Sequence, residues 1–140
     1  MRVVTDTNVI VSALLWMGAP QKILIAAEKA QVTLCVSPAL LQELVGVLER
    51  PKFTQRLRDL RVSAAELMSG YVRLAHVVLP QRVPRVVATD VADDEVLACA
   101  FAARAKYIVS GDSDLLRMRS YMRIPILSPT AFVRDVLDQL

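Results

Sequence analysis

The chain has 140 residues and a net charge of +3, with 54 % apolar and only 5 % aromatic residues. That length supports one compact domain, residues 1–140, and excludes a second core of any size, while the composition calls for a core of Val, Leu, Ile and Ala. No apolar run approaches the roughly 20 residues needed to cross a bilayer, and the amino terminus lacks a signal-peptide pattern, so a cytoplasmic protein without membrane attachment is expected.

Arg2–Thr5 is short, β-branched and followed by Asp6, which predicts a buried strand whose carboxyl end presents an acid. Thr7–Leu15 turns helical, Gly18-Ala19-Pro20 breaks it, and 21–30 resumes with Ile23, Leu24, Ala27 and Ala30 on one face. Thr33–Val36 is a second strand. Ser37 and Pro38 supply an N-cap and a first helical residue ahead of the stripe Leu40, Leu41, Leu44, Val47 and Leu48, with Glu43 in the second turn. Arg50-Pro51-Lys52-Phe53 opens a more basic helix, and Ser63-Ala64-Ala65-Glu66 has the form of a capping box. Residues 76–79 read as a third strand and 80–88, with two prolines and no helical period, as a connecting loop. Asp90 to Asp93 can cap a helix running to about Ala105, with Asp94 and Glu95 in its first turn. Tyr107–Val109 is the fourth strand, closed by Ser110-Gly111-Asp112-Ser113-Asp114. Ile124–Leu127 is a fifth, assigned to an edge because of Pro125, and Ser128-Pro129 starts a last helix. Cys35 and Cys99 lie in apolar segments and read as buried reduced thiols.

Strands alternating with helices predict an α/β fold of three α/β/α layers around a central parallel sheet of about five strands. In such a fold, helix amino termini and strand carboxyl termini share one edge, which places Asp6, Glu43, Asp94 and Asp112 together. Clustered carboxylates repel and are costly to desolvate unless a cation compensates. Oxygen-only ligands without a His or Cys cluster select a hard ion, Mg²⁺ or Mn²⁺. Setting those four charges aside leaves +7 on the rest of a chain whose total is +3, a basic surface around an acidic hole that suits a polyanionic substrate.

DTNVIVSALL, the glutamate of PALLQELVGVL, DVADDEVLACA and YIVSGDSDLL closely resemble the PIN-domain ribonucleases, especially the toxin components of toxin–antitoxin systems. The resemblance covers nearly the whole chain. It implies a metal site formed by Asp6, Glu43, Asp94 and Asp112, with Asp6, Asp94 and Asp112 as metal ligands and Glu43 either ligating or orienting water. It also implies that metal-activated water hydrolyses an RNA phosphodiester bond. Asp114 matches a further acidic position beside the site, Asn8 fits the family's opening, and Ser110 stands where relatives often carry threonine and still offers one hydroxyl. A cognate antitoxin and a homodimer are implied as partners.

Bland readings stand beside these. An Asp after a strand is often a helix cap, and a Glu in a helix is usually solvated. Asp93 and Glu95 are assigned mainly to capping and solvent, while Asn8 and Ser12 fit the family's opening and are explained nearly as well by capping and packing. Arg50, Lys52, Arg56, Arg58 and Arg61 suit either an RNA backbone or a solvated helix face. His76 reads as structural, and Trp16 and Tyr71 as core, dimer or partner contacts. Two rival functions remain. The D-T-N-V and G-D-S-D segments faintly resemble haloacid-dehalogenase-type phosphatases with Asp6 as nucleophile, but Asn8 stands where their acid-base Asp belongs. The other rival is a non-catalytic binding module that keeps the fold, against which the intact acidic set argues.

Overall fold

The computed structural model describes residues 1–82, 85 and 90–140. Its order is β1 (Arg2–Thr5), α1 (Thr7–Leu15), α2 (Ala19–Glu28), β2 (Thr33–Val36), α3 (Pro38–Leu48), a 3-10 turn (Pro51–Phe53), α4 (Thr54–Leu60), α5 (Ala64–Leu74) and β3 (His76–Val77). There follow α6 (Val91–Ala103), β4 (Tyr107–Val109), α7 (Ser113–Met118), β5 (Ser120–Tyr121), β6 (Ile124–Leu127), α8 (Pro129–Asp135) and a closing 3-10 turn (Leu137–Gln139). The connecting loop read at 80–88 lies partly outside the described residues. Among the described residues no single helix is long and apolar enough to cross a membrane.

The strands form one sheet in the order β3-β2-β1-β4-β6-β5, parallel except for the last pair, with helices on both faces. β1 is central because Val3 and Val4 are fully buried, as are Ile108 and Val109 of its neighbour β4. Such runs suit a strand covered on both faces. Burying each of these side chains contributes roughly 1.5–3 kcal/mol. Between β1 and β4 the strand order reverses, so this is the switch point of the sheet.

Local chemistry sets the helix starts. Ser63 and Glu66 make a full capping box, and Ser37 and Ser128 accept from the backbone N–H groups of Leu40 and Ala131. Gly18 holds φ 134°, which only glycine adopts readily, so α2 starts at Ala19 and Pro20 is absorbed into its first turn. Two expectations change. The third strand is two exposed residues long rather than four. The strand Ile124–Leu127 is not the edge, because β5, a short antiparallel partner, lies outside it. Pro125 is tolerated there since Ile126 N–H donates to Arg119 on the β5 side, while pairing with β4 begins only at Ile126. The β5–β6 link is a two-residue turn, Met122 at φ 49° and Arg123 at φ 66°, the type I′ geometry that matches strand twist. The helix α7 was not expected either; at six residues it is too short to show a period.

Candidate metal centre

Three carboxylates terminate strands or loops as N-caps at the same sheet edge. Asp6 caps α1 through Val9 N–H at 2.9 Å. Asp90 caps α6 through Ala92 and Asp93 N–H at 2.9 and 3.3 Å. Asp112 caps α7 through Asp114 and Leu115 N–H at 3.0 and 3.1 Å. The bland reading of these acids as caps is therefore correct, and it coexists with their convergence, because capping places each side chain at the positive end of a helix dipole.

These acids, with Glu43 and Asp93, line one cleft of about 60 Å³ whose other walls include Thr7, Asn8 and Val96. Small-molecule pockets are roughly 300–1,000 Å³, so this cleft has room for ions and waters and leaves a substrate to lie across its mouth. The more voluminous clefts elsewhere are walled mostly by apolar side chains. One oxygen from each of Asp90, Asp93 and Asp112 lies within 4.8 Å of the other two. Asp93 is 5 % exposed, and its Oδ2 is buried without a hydrogen-bond partner. An orphaned carboxylate oxygen among other carboxylates, with no nitrogen or sulfur donor in the cleft, fits a hard divalent cation.

The titration of the cluster follows from this crowding. Burial first, then the adjoining Asp112 carboxylate and the charges of Asp90 and Asp6, push the Asp93 carboxyl up to about 8. Burial also raises Asp6, against the lowering by its hydrogen bonds from Ser110, Val9 and Gly111. Glu43 is raised by burial and by Asp90 and Asp6, while a hydrogen bond with Thr7 and the charge of Arg50 act the other way.

Ser110, fully buried, ties two of the acids together. Its hydroxyl donates to Asp6 Oδ2 and accepts from Asp112 N–H at 2.9 Å, and Gly111 N–H adds a bond to the same Asp6 oxygen at 3.2 Å. Ser110→Ala would leave both a donor and an acceptor short of partners. It is expected to lower stability by about 1–3 kcal/mol in denaturant unfolding, with Ser110→Thr close to wild type; equal stability of the alanine variant would deny the bridge its role.

The expected site residues fall unequally. Asp6, Glu43, Asp112 and Asn8 line the cleft, whereas Asp94, though buried, does not. Asp93, assigned beforehand to capping and solvent, lines it instead. With Asp90 as the cap, Asp93 is the third helical residue, whose side chain turns back over the cap, and Asp94 points about 100° away on the helix. That spacing was the available signal, blurred by spreading the cap over Asp90 to Asp93. Asp114 lies beside the site, paired with Arg117 rather than lining the cleft. Of the basic candidates, Arg56 is half-buried, donates to the Leu15 carbonyl at 2.7 Å and stacks over Trp16, so it is held by structure. Lys52 lies over the Phe53 ring, and Arg50 and Arg58 are exposed. Tyr71 is core, Trp16 is partly exposed against Phe53, and His76 sits away from the cleft on β3.

A family model described as PIN domain matches residues 2–114. The fold is also similar to a chain in the crystal structure of VapBC2 from Rickettsia felis bound to a DNA fragment from their promoter, with a TM-score of 0.61 over 90 % of this chain and 97 % of that one. Identity there is 15 %, so the likeness is one of fold. No curated protein sequence matches the chain.

Proposed function

This chain belongs to the PIN-domain family, and on that premise we propose that it is a divalent-metal-dependent endoribonuclease, the toxin of a toxin–antitoxin pair. The observation that carries the proposal is the orphaned Oδ2 of Asp93, buried where oxygens of Asp90 and Asp112 converge. Asp6, Asp93 and Asp112, with Asp90, would hold the ion. Asp94, implied as a ligand by the family resemblance, takes no place in this set. A bound Mg²⁺ or Mn²⁺ supplies an activated water and offsets negative charge on the phosphate.

The chain's own groups do the rest. Ser110 and Gly111 keep Asp6 aimed into the cleft as an acceptor. Glu43, its carboxyl raised by burial and steadied by Thr7, is suited to take a proton from water and pass it on. Asn8, exposed at the cleft wall, offers an amide to a phosphate oxygen at the mouth.

The test is incubation of the purified protein with defined single-stranded RNAs in Mg²⁺, Mn²⁺ or chelator. Cleavage with metal and none with chelator is the expected result; no cleavage under any condition overturns the proposal. The phosphatase alternative predicts turnover of a small phosphomonoester, and the binding-module alternative predicts no specific divalent site by calorimetry.

Metal is expected to raise thermal stability, because it binds the folded cluster alone and removes like-charge repulsion. A hundredfold excess over Kd contributes about 2.7 kcal/mol by mass action, and an unchanged melting temperature in millimolar Mg²⁺ and Mn²⁺ would count against a formed site.

For the antitoxin, an apolar cleft of about 430 Å³ between Leu14 and Leu24 on one side and Leu67, Tyr71 and Leu74 on the other offers a seat for a partner helix. Self-association as a homodimer completes the proposal, since Trp16, Met17, Phe101 and Leu79 leave apolar surface uncovered. Light scattering at micromolar concentration checks it, a monomer being the contrary result.

A further inference from the structure

Six non-glycine residues among those described have positive φ, and four of them are arginines: Arg61, Arg104, Arg119 and Arg123. Left-handed backbone is strained for any residue with a Cβ and is ordinarily given to Gly, Asn or Asp. Three of the four belong to one side of the molecule. Arg104 is the left-handed C-cap of α6 and leads through Ala105 to Lys106 at the start of β4. Arg119 ends α7, and Arg123 sits in the type I′ turn before β6.

Sheet register brings these together. β4 and β6 are parallel neighbours with Ile108 opposite Ile126, so Lys106 stands level with Ile124, next to Arg123. Adjacent strands are about 4.8 Å apart. All of Arg104, Lys106, Arg117, Arg119 and Arg123 are exposed, and Arg117 alone among them makes an ion pair, with Asp114. The row also has a direction. It begins at Asp112 in the acidic cleft, follows α7 for about 9 Å at 1.5 Å per residue, and continues along β5, the outer edge of the sheet, to the opposite end.

We propose that Arg119 and Arg123 at this edge, with Arg104 and Lys106 ahead of β4 two strands inward at the same end of the sheet, form a cationic track that binds the phosphodiester backbone of the RNA strand leaving the cleft. The inference rests on the nuclease reading for the identity of the strand. Charge complementarity selects the occupant, since a row of separated, unpaired cations running from an acidic hydrolytic cleft matches the repeating charge of a single strand. The backbone strain has a use under this proposal: left-handed turns project the guanidinium groups outward at places where glycine would give a more stable chain.

The experiment uses the full chain carrying Asp6→Asn, in chelator, with a fluorescein-labelled single-stranded RNA long enough to overhang the cleft on both sides, and reads anisotropy across a salt series. Combining Arg104→Gly, Arg119→Gly and Arg123→Gly is expected to weaken affinity about tenfold or more and to reduce the salt slope by about 2, at roughly 0.7 per lost phosphate contact. The melting temperature of the same protein should hold or rise. The corresponding triple change to Gln, which keeps side-chain bulk and the left-handed turns, should weaken binding equally. Wild-type affinity and salt slope in the Gln protein overturn the track. Failure of the nuclease reading is separable: RNA bound through the track but never cleaved by the wild-type chain in Mg²⁺ or Mn²⁺ removes that reading alone, whereas RNA cleaved normally with binding unaffected by either triple change removes the track alone.

Discussion

Asp6→Asn is expected to reduce metal-dependent RNA cleavage by about a hundredfold or more while leaving the fold intact. Changes to groups that merely support ligands cost 10–100-fold in metal affinity or activity, so loss of a ligand's charge should cost at least that. Two opposing effects set the stability. Asparagine caps α1 as well as aspartate does, and removing a carboxylate whose burial disfavours its charged form is a gain. Against this, the single amide oxygen cannot both cap Val9 N–H and stand where Oδ2 accepts from Ser110 and Gly111, and each lost hydrogen bond costs about 1 kcal/mol. The apo protein should therefore unfold within about 1 kcal/mol of wild type. Cleavage assays and apo melts on one preparation decide it: full metal-dependent activity in the variant removes Asp6 from the ligand set, and collapse of the apo fold assigns the residue to structure.

The apo protein is also expected to lose stability as pH rises from about 4 to about 8, and Asp93→Asn to abolish most of that loss. The sign follows from the proton balance. Unfolded, Asp93 titrates near 3.8, and folded it titrates near 8, so between these values the native state holds a proton that the unfolded state has released. Its favourable contribution is complete below the lower value and lost on the way to the upper, at up to ~1.4 kcal/mol per pH unit. At pH 8 the asparagine variant should melt several degrees higher than wild type, taking about 3–4 °C per kcal/mol for a chain of this size. Metal reverses the trend in wild type, because ligation needs the ionised acid and strengthens as pH rises. The variant should show little of this metal-induced rise. A flat pH profile for the wild-type apo protein would mean that the acids are not coupled.

Buried strands and capped helices were legible in the sequence because their signals are local. Val3, Val4, Ile108 and Val109 announce two-sided burial, and Ser37-Pro38 and Ser63 to Glu66 announce helix starts. From alternation and the edge rule came the convergence of Asp6, Glu43 and Asp112. What escaped depends on tertiary pairing or on single-residue phase. β5 is two residues long and exists because β6 offers it an edge, so nothing periodic marks it. Whether Asp93 or Asp94 faces the cleft turns on one residue of helical phase, fixed by Asp90 as the cap. Arg56 carries no sign in the sequence that the Leu15 carbonyl engages it.

The bridge from Ser110 to Asp6 spans 104 residues. No part of the acidic cleft can be complete until β4 has docked on β1, so its assembly waits on the closure of a very long loop, which is entropically slow. During synthesis, which proceeds from the amino end, a chain that has emerged only through α6 holds Asp6, Glu43, Asp90 and Asp93 but neither Ser110 nor Asp112. On the nuclease reading, hydrolytic competence would therefore arrive late, with the last third of the domain, and a ribosome-bound nascent chain would carry an incomplete site while the messenger beside it is still being read.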